Sequence, residues 1–301
     1  MKLGPHAFSL RQLQYAVAVA DELSFRRAAE RCLVSQPSLS AQLAELEGAL
    51  GVRLFERDRR RVLVTAAGRE VVERARRVLV GVDNLGEAAK RSADPLSGTL
   101  RIGVIPTISP YLLPLAARAL RKKLPKLTLV WVEDKTDSLL ASLDAGELDA
   151  ALLALEAELG DVEHEIIVED PFVLAAPPGH PLAAKTTPIG RAELAGHAVL
   201  LLTEGHCLRE QALTYCSSAR AEELEFRATS LSTLVQMVAA GAGVTLLPEM
   251  SLPTEAARAK LVLRRFKAPV PQRTVALVWR KRSALAPALS QVATVVRSTH
   301  A

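Results

Sequence analysis

Two thiols raise the first chemical question. Cys207 and Cys216 lie nine residues apart in the stretch Gly205-His206-Cys207-Leu208-Arg209-Glu210-Gln211-Ala212-Leu213-Thr214-Tyr215-Cys216, and they are two of the chain's three cysteines. Such thiols can be oxidised, can pair, or can sit inert in a core. Nine residues rise about 13.5 Å along a helix, and more along a strand. A disulfide needs Cα atoms within about 7 Å of each other. These two sulfurs therefore either never bridge, or bridge only when the segment between them refolds. Cys207 falls at the predicted start of a helix over Leu208–Cys216, where free backbone N–H groups and the helix dipole favour an anion. His206 and Arg209 flank it. Cys32 fits the apolar face of another helix and reads as core. His164, His180 and His197 show no metal-ligand spacing with the cysteines, so no metal or other cofactor is expected.

The rest of the chain has to position those thiols and supply something for them to control. Its 301 residues allow two or three domains with substantial cores. No apolar run approaches the ~18 residues of a membrane-spanning helix. Met1-Lys2-Leu3-Gly4-Pro5-His6 lacks the apolar core of a signal peptide. Three cysteines are too few for a secreted disulfide framework, which points to a cytoplasmic setting where a disulfide is transient or sensory. The net charge of +5 is unevenly placed: residues 1–93 hold 16 Lys/Arg against 11 Asp/Glu, whereas the remainder holds 22 against 22. The whole surplus sits in the first third, which favours contact with a polyanion such as DNA. A merely solvated basic surface would give the same count.

The local patterns in that third agree with a nucleic-acid reader. Leu10, Leu13, Val17 and Ala20 recur at helical spacing. Ser24 can cap a second helix with Phe25, Ala28, Ala29 and Cys32 on one face. Ser35 can cap a third, with Pro37 in its first turn, Leu39, Leu43, Leu46 and Leu50 inward, and Gly51 at its end. Two short helices joined by a tight turn read as helix-turn-helix. The third helix then presents Ser35, Gln36, Pro37, Ser38, Ser40 and Gln42 near its N-terminus, where side chains would meet base edges. The stretch from Leu54 to Val64, with Arg57, Arg59, Arg60 and Arg61, reads as a hairpin with a basic tip, a wing that would follow phosphates or enter the minor groove. From Thr65 to about Ala93 a long helix carries Val71, Ala75, Val78, Val82, Leu85 and Ala89 in heptad alternation. Pairing with a second copy is the expected use of that seam, with packing on its own chain as the alternative.

After Asp94-Pro95-Leu96-Ser97-Gly98, a hinge, strands and helices alternate. Strands are expected at Leu100–Ile105, Leu127–Val132, Ala150–Ala154, Glu165–Val168, Phe172–Ala176, Ala198–Leu202, Leu224–Ala228, Val244–Leu247 and Thr274–Trp279. Helices are expected at Tyr111–Lys123, Ser138–Ala145, Leu208–Cys216, Leu231–Ala240 and Pro287–Arg297. This is an α/β pattern with mainly parallel sheets. Breaks near Asp170-Pro171 and Pro269–Gln272 suggest two crossings between two halves.

The chain resembles the LysR-type transcriptional regulators from about Leu10 onward. The resemblance rests on Phe25-Arg26-Arg27-Ala28-Ala29-Glu30, Val34-Ser35-Gln36-Pro37-Ser38-Leu39-Ser40, Leu46-Glu47, Leu50-Gly51, Leu54-Phe55-Glu56-Arg57 and Thr65-Ala66-Ala67-Gly68. Within that family it is most similar to the peroxide-sensing OxyR branch, through Gly205-His206-Cys207-Leu208-Arg209-Glu210-Gln211-Ala212, Ile105-Pro106-Thr107 with Pro110-Tyr111-Leu112-Leu113-Pro114, and Phe226-Arg227-Ala228-Thr229-Ser230-Leu231. Cys216 falls where that branch has its second cysteine. Glu210 replaces the usual Asp. Ala44-Glu45 replaces a frequent basic pair, which leaves phosphate contacts to Arg53, Arg57 and the wing.

The resemblance implies an α/β protein with an N-terminal all-α winged helix-turn-helix over residues 1–65, and a dimerising linker helix and hinge over 66–98. A periplasmic-binding-protein-like effector domain follows, with one subdomain over 99–170 and 274–301 and a second, carrying the cysteines, over 171–273. It implies a redox-sensing set of Cys207, Cys216, Thr107, His206, Arg273 and Arg209. The expected partners are promoter double-stranded DNA, hydrogen peroxide, further copies of the chain (a dimer, then a tetramer) and RNA polymerase, with no membrane. A regulator bound by a small metabolite in the cleft between subdomains is the competing reading. A thiol peroxidase would need an independent set of catalytic groups, and the sequence offers none.

Overall fold

The computed structural model describes residues 7–57, 62–94, 96–217 and 222–299. The chain divides into two units, Met1–Ala89 and Lys90–Ala301. In the first, α1 (Leu10–Glu22), α2 (Phe25–Arg31) and α3 (Gln36–Leu50) precede a short antiparallel hairpin of β1 (Phe55–Arg57) and β2 (Val62–Val64). Each helix start is fixed by a serine. Ser9, Ser24 and Ser35 accept from the backbone N–H of Gln12, Arg27 and Ser38, satisfying donors that a helix leaves free at its start. Leu13, Val19, Phe25, Leu39, Leu43, Leu46 and Leu54 form the common core. Glu47 accepts from the N–H groups of Leu54 and Phe55 at 2.7 and 3.2 Å and so anchors the hairpin to α3.

The long helix α4 (Ala66–Ala93) starts from Thr65, whose hydroxyl donates to the Arg53 carbonyl and accepts from Gly68 N–H. Gly68 must be glycine there, because a Cβ would collide with the Leu54 carbonyl. The heptad seam divides in two. Ala75 is buried and Val71 half-buried, both against this unit's own core. Val78, Val82 and Leu85 face outward, Leu85 with 71% of its surface exposed.

The second unit contains β3 (Gly98–Val104), α5 (Ser109–Lys123), β4 (Leu127–Glu133), α6 (Thr136–Asp144), β5 (Ala150–Ala154), β6 (Val162–Ala176), β7 (Ala198–Leu202), α7 (Cys207–Ser217), β8 (Glu222–Ala228), α8 (Leu231–Ala239), β9 (Thr245–Pro248), α9 (Leu252–Glu255), β10 (Val262–Arg265), β11 (Gln272–Arg280) and α10 (Ala286–Arg297). The principal sheet runs β10-β6-β11-β5-β3-β4, with β9 also on β6, while β7 and β8 pair separately. One core gathers Leu100, Ile102, Leu112, Leu152, Leu277 and Leu289. The other gathers Phe172, Leu174, Leu200, Leu208, Val235 and Leu246.

Two expectations need correction. The sheets are not mainly parallel. Among the described residues only β3–β4, β3–β5 and β7–β8 are parallel ladders, and β11 runs antiparallel to both β5 and β6. A strand that leaves one half and a strand that returns beside it must oppose each other in direction. The separate strands expected on either side of Asp170-Pro171 are also one strand, β6. Pro171 is tolerated because pairing changes there. Upstream residues pair with β11, and downstream residues pair with β9 and β10. Phe172 N–H donates to the Pro271 carbonyl at 2.8 Å beside the missing donor. Strand β10 has no counterpart among the expected elements.

Candidate redox site and nucleic-acid interface

Strands β3 and β4 lie side by side and parallel, so their carboxyl ends open together. Thr107 follows β3, and Thr136 opens the helix after β4. Across from them α7 begins with Cys207, preceded by Gly205 in left-handed backbone (φ 84°) and by His206. Arg273 reaches the same place from β11. It is fully buried, and its register partner across the ladder is Asp170. Its Nε donates to Asp170 at 2.9 Å, Nη1 to Thr107 Oγ1 at 2.9 Å and Nη2 to the Thr107 carbonyl at 3.0 Å. Asp170 also accepts from Met250 N–H at 3.0 Å. The guanidinium is therefore held between a carboxylate and Thr107, and the Thr107 hydroxyl, already an acceptor, keeps its own proton for another partner.

Cys207, Thr107, Thr136, His206, Gly205 and Lys135 line one small, tightly closed space with Ile105 and Pro106. Burial pushes the Cys207 thiol above its ordinary value. The charge of Arg273, the Thr136 hydroxyl and the Leu208 N–H oppose that shift. Burial, with the Lys135 charge, pulls His206 down, so its imidazole is neutral near pH 7. The Thr136 hydroxyl is buried and has no nitrogen or oxygen partner among the described residues; it faces the Cys207 sulfur. Sequence reasoning did not single it out. The available signal was topological, since Thr107 and Thr136 follow neighbouring parallel strands.

Cys207, Thr136, Gly205 and His206 also border an open cleft of about 840 Å³, which meets Glu156, Arg191, Glu210 and Tyr215. Helix α7 is tied into its surroundings along its length. Arg209 donates to the Leu202 carbonyl at 3.1 Å, which holds α7 to the end of β7 rather than bringing that guanidinium into the small space. Gln211 donates to Glu156, which also accepts from Thr274 N–H of β11. Leu208, Ala212 and Tyr215 are buried, with the Tyr215 ring edge-on to Phe266 at 5.1 Å. Cys216 occupies the last turn of the same helix; its side chain lies outside the described set. The nine-residue separation along an unbroken helix therefore holds. Cys207 is a free thiol, and Cys32 is half-buried. Among the described residues no group of three or more His, Cys, Asp or Glu could hold a metal ion, and no helix is long and apolar enough to cross a membrane.

In the first unit Gln36, Pro37 and Ser38 are exposed at the start of α3, with Ser35 as its cap, Ser40 half-buried and Arg53 exposed beyond its end. Gln42 donates to Glu45 at 3.0 Å, and Glu45 also accepts from the buried Gln12 at 3.2 Å. Arg59, Arg60 and Arg61 lie outside the described residues, as does the side chain of Arg57.

Residues 10–69 match the bacterial regulatory helix-turn-helix protein family of lysR type, and residues 93–301 match the LysR substrate binding domain. The DNA-binding transcriptional dual regulator OxyR of Escherichia coli (strain K12) is 45% identical over 291 residues, covering 96% of this chain and 95% of that protein. A full-length OxyR variant from Pseudomonas aeruginosa superposes with a TM-score of 0.74 at 37% identity, covering 97% of this chain and 96% of its own. A mutant of Corynebacterium glutamicum OxyR, solved with H2O2 bound, gives 0.66 at 34% identity over 97% of this chain and 94% of its own. The chain belongs to the LysR family of DNA-binding regulators and, within it, to the OxyR group of hydrogen peroxide-inducible gene activators.

Proposed function

We propose that this regulator senses hydrogen peroxide at Cys207 and converts that reaction into a change at promoter DNA. One observation carries the reading: a buried thiol at a helix start, facing a threonine hydroxyl that has no nitrogen or oxygen partner among the described residues, and within the field of the Arg273–Thr107 pair. The Thr107 and Thr136 hydroxyls would hold the peroxide. The Cys207 thiolate attacks the nearer oxygen, an S–O bond forms and the O–O bond breaks. The departing hydroxide takes a proton and leaves as water. The Arg273 charge stabilises the thiolate and the negative charge growing on the departing oxygen, and neutral His206 has an N–H to donate. The Cys216 thiolate then attacks the sulfenic sulfur, forming S–S and releasing the oxygen as a second water. Because the two residues share one helix, with about 13.5 Å of axial rise between their backbones, closure unwinds α7 and draws Leu208, Ala212 and Tyr215 from their core.

We assign residues 1–65 to DNA binding and 66–98 to dimerisation, with 99–170 and 274–301 as one effector subdomain and 171–273 as the other. Ser35, Gln36, Pro37, Ser38, Ser40, Gln42, Arg53 and Arg57, with the wing arginines, form the proposed DNA face. Val78, Val82 and Leu85 form the dimer seam. Tetramer assembly, contact with RNA polymerase and a cytoplasmic setting belong to the same proposal. The test is peptide mass mapping after anaerobic reduction and about one equivalent of hydrogen peroxide per chain, the stoichiometry of one disulfide. A Cys207–Cys216 disulfide, absent in Cys207→Ser, is expected. Free thiols throughout would turn attention to the open cleft, whose size suits a small-molecule effector.

A further inference from the structure

Lys135 joins the two sides of the thiol site without belonging to the redox set above. It immediately precedes α6, on the Thr107 side of the small space. Its ammonium crosses to the turn before α7 and donates to the Glu204 carbonyl at 2.8 Å. The stem lies over the next residue so closely that a Cβ on Gly205 would come within 2.9 Å of Lys135 Cδ and 3.3 Å of Nζ. Among the described residues lining the small space, Lys135 is the only one that is exposed; the others are buried or half-buried. The space has no room for a water-sized molecule as it stands. Something in its wall must move before a peroxide can enter from the Thr107 side, and a solvent-facing lysine stem held by one hydrogen bond is the wall element with the most freedom.

We propose that Lys135 is a clasp over the Cys207 site, and that its opening determines which hydroperoxides reach the thiol. This rests on the peroxide-sensing reading. With the clasp shut, Gly205 and the start of α7 are held against the β3–β4 side. A partial opening admits a molecule with two heavy atoms, while an alkyl hydroperoxide needs the stem displaced altogether. Lys135 is thus a specificity-determining and positioning residue. The open cleft that also borders Cys207, Thr136 and His206 is the competing route, and it is wide enough that no such discrimination would follow from it.

The experiment compares rates of Cys207 oxidation by hydrogen peroxide and by tert-butyl hydroperoxide in the full-length protein, in Lys135→Ala and in Lys135→Arg, read as loss of the alkylatable thiol. If the shut state is populated about nine-tenths of the time, removing it raises the tert-butyl hydroperoxide rate roughly tenfold. A smaller gain is expected for hydrogen peroxide, so the ratio of the two rates moves, and Lys135→Arg restores the original ratio. An unchanged ratio in Lys135→Ala, including equal gains for both oxidants, overturns the clasp and leaves peroxide sensing intact. An unaltered protein whose Cys207 ignores hydrogen peroxide overturns both.

Discussion

The Thr136 hydroxyl is buried with only the Cys207 sulfur, a weak acceptor, beside it, an arrangement that disfavours folding, since a poorly paired buried hydroxyl costs up to about 1–3 kcal/mol. Valine has nearly the same shape and no such cost. Thr136→Val should therefore melt at the same temperature as the unaltered protein or a few degrees higher. Its Cys207 should nevertheless react with hydrogen peroxide roughly a hundredfold to a thousandfold more slowly, the range for loss of one preorganised donor. The pH dependence follows from the thiol. Only thiolate reacts, and burial pushes the Cys207 thiol up from its ordinary value. At neutral pH the reactive form is a minority that grows about tenfold per pH unit. Stopped-flow rates should keep rising from neutral into alkaline pH, in the unaltered protein and in Thr136→Val alike. A plateau reached by pH 7 would show that Arg273 and the helix start outweigh burial.

At the scale of elements, α4 carries the clearest test. Its first two turns complete the core of the first unit, and its later turns present Val78, Val82 and Leu85 to solvent. Burying a leucine is worth about 1.5–3 kcal/mol, so Leu85→Lys should weaken self-association by roughly ten- to a hundredfold in sedimentation velocity. A monomeric unaltered protein at micromolar concentration would remove the basis for that seam. Elements of this kind were legible because their signals are local. Serine caps at Ser24 and Ser35, glycine at Gly51 and periodic leucines fix helices without reference to the rest of the chain. Strand direction was less legible. Which way β11 runs depends on the path between halves, and Pro171 looks like a terminator unless its pairing partners are known to change there. Thr136 escaped for a related reason, since its neighbour Cys207 is 71 residues away in the chain and only the fold brings them together. The redox motif itself was readable as a run of residues, but the anchoring of Arg209 on Leu202 was not.

In the molecule as a whole, the two halves of the effector unit meet where β6 and β11 cross together, and Arg273 and Asp170 face each other at that point. Removing one partner of a fully buried ion pair costs about 3–5 kcal/mol, because the other charge is left alone. Arg273→Met should thus lower the urea midpoint strongly. Asp170→Asn added to it should recover much of the loss, because an amide oxygen can still accept from Met250 N–H and no lone charge remains. If the double variant proved no more stable than Arg273→Met, the interaction with Thr107 would be the dominant tie.

The same guanidinium has a consequence for how variants of this protein would sort in a living culture. It pairs with a buried carboxylate, grips Thr107 twice and bears on the thiol. Cells carrying a change at Arg273 would lose the protein itself to misfolding and proteolysis, and would score as if the gene were deleted. Cells carrying Thr136→Val would keep a full complement of regulator seated on its promoters yet slow to answer oxidant. Two lesions in one small site would thus produce opposite phenotypes at any promoter that the peroxide-free form occupies and represses.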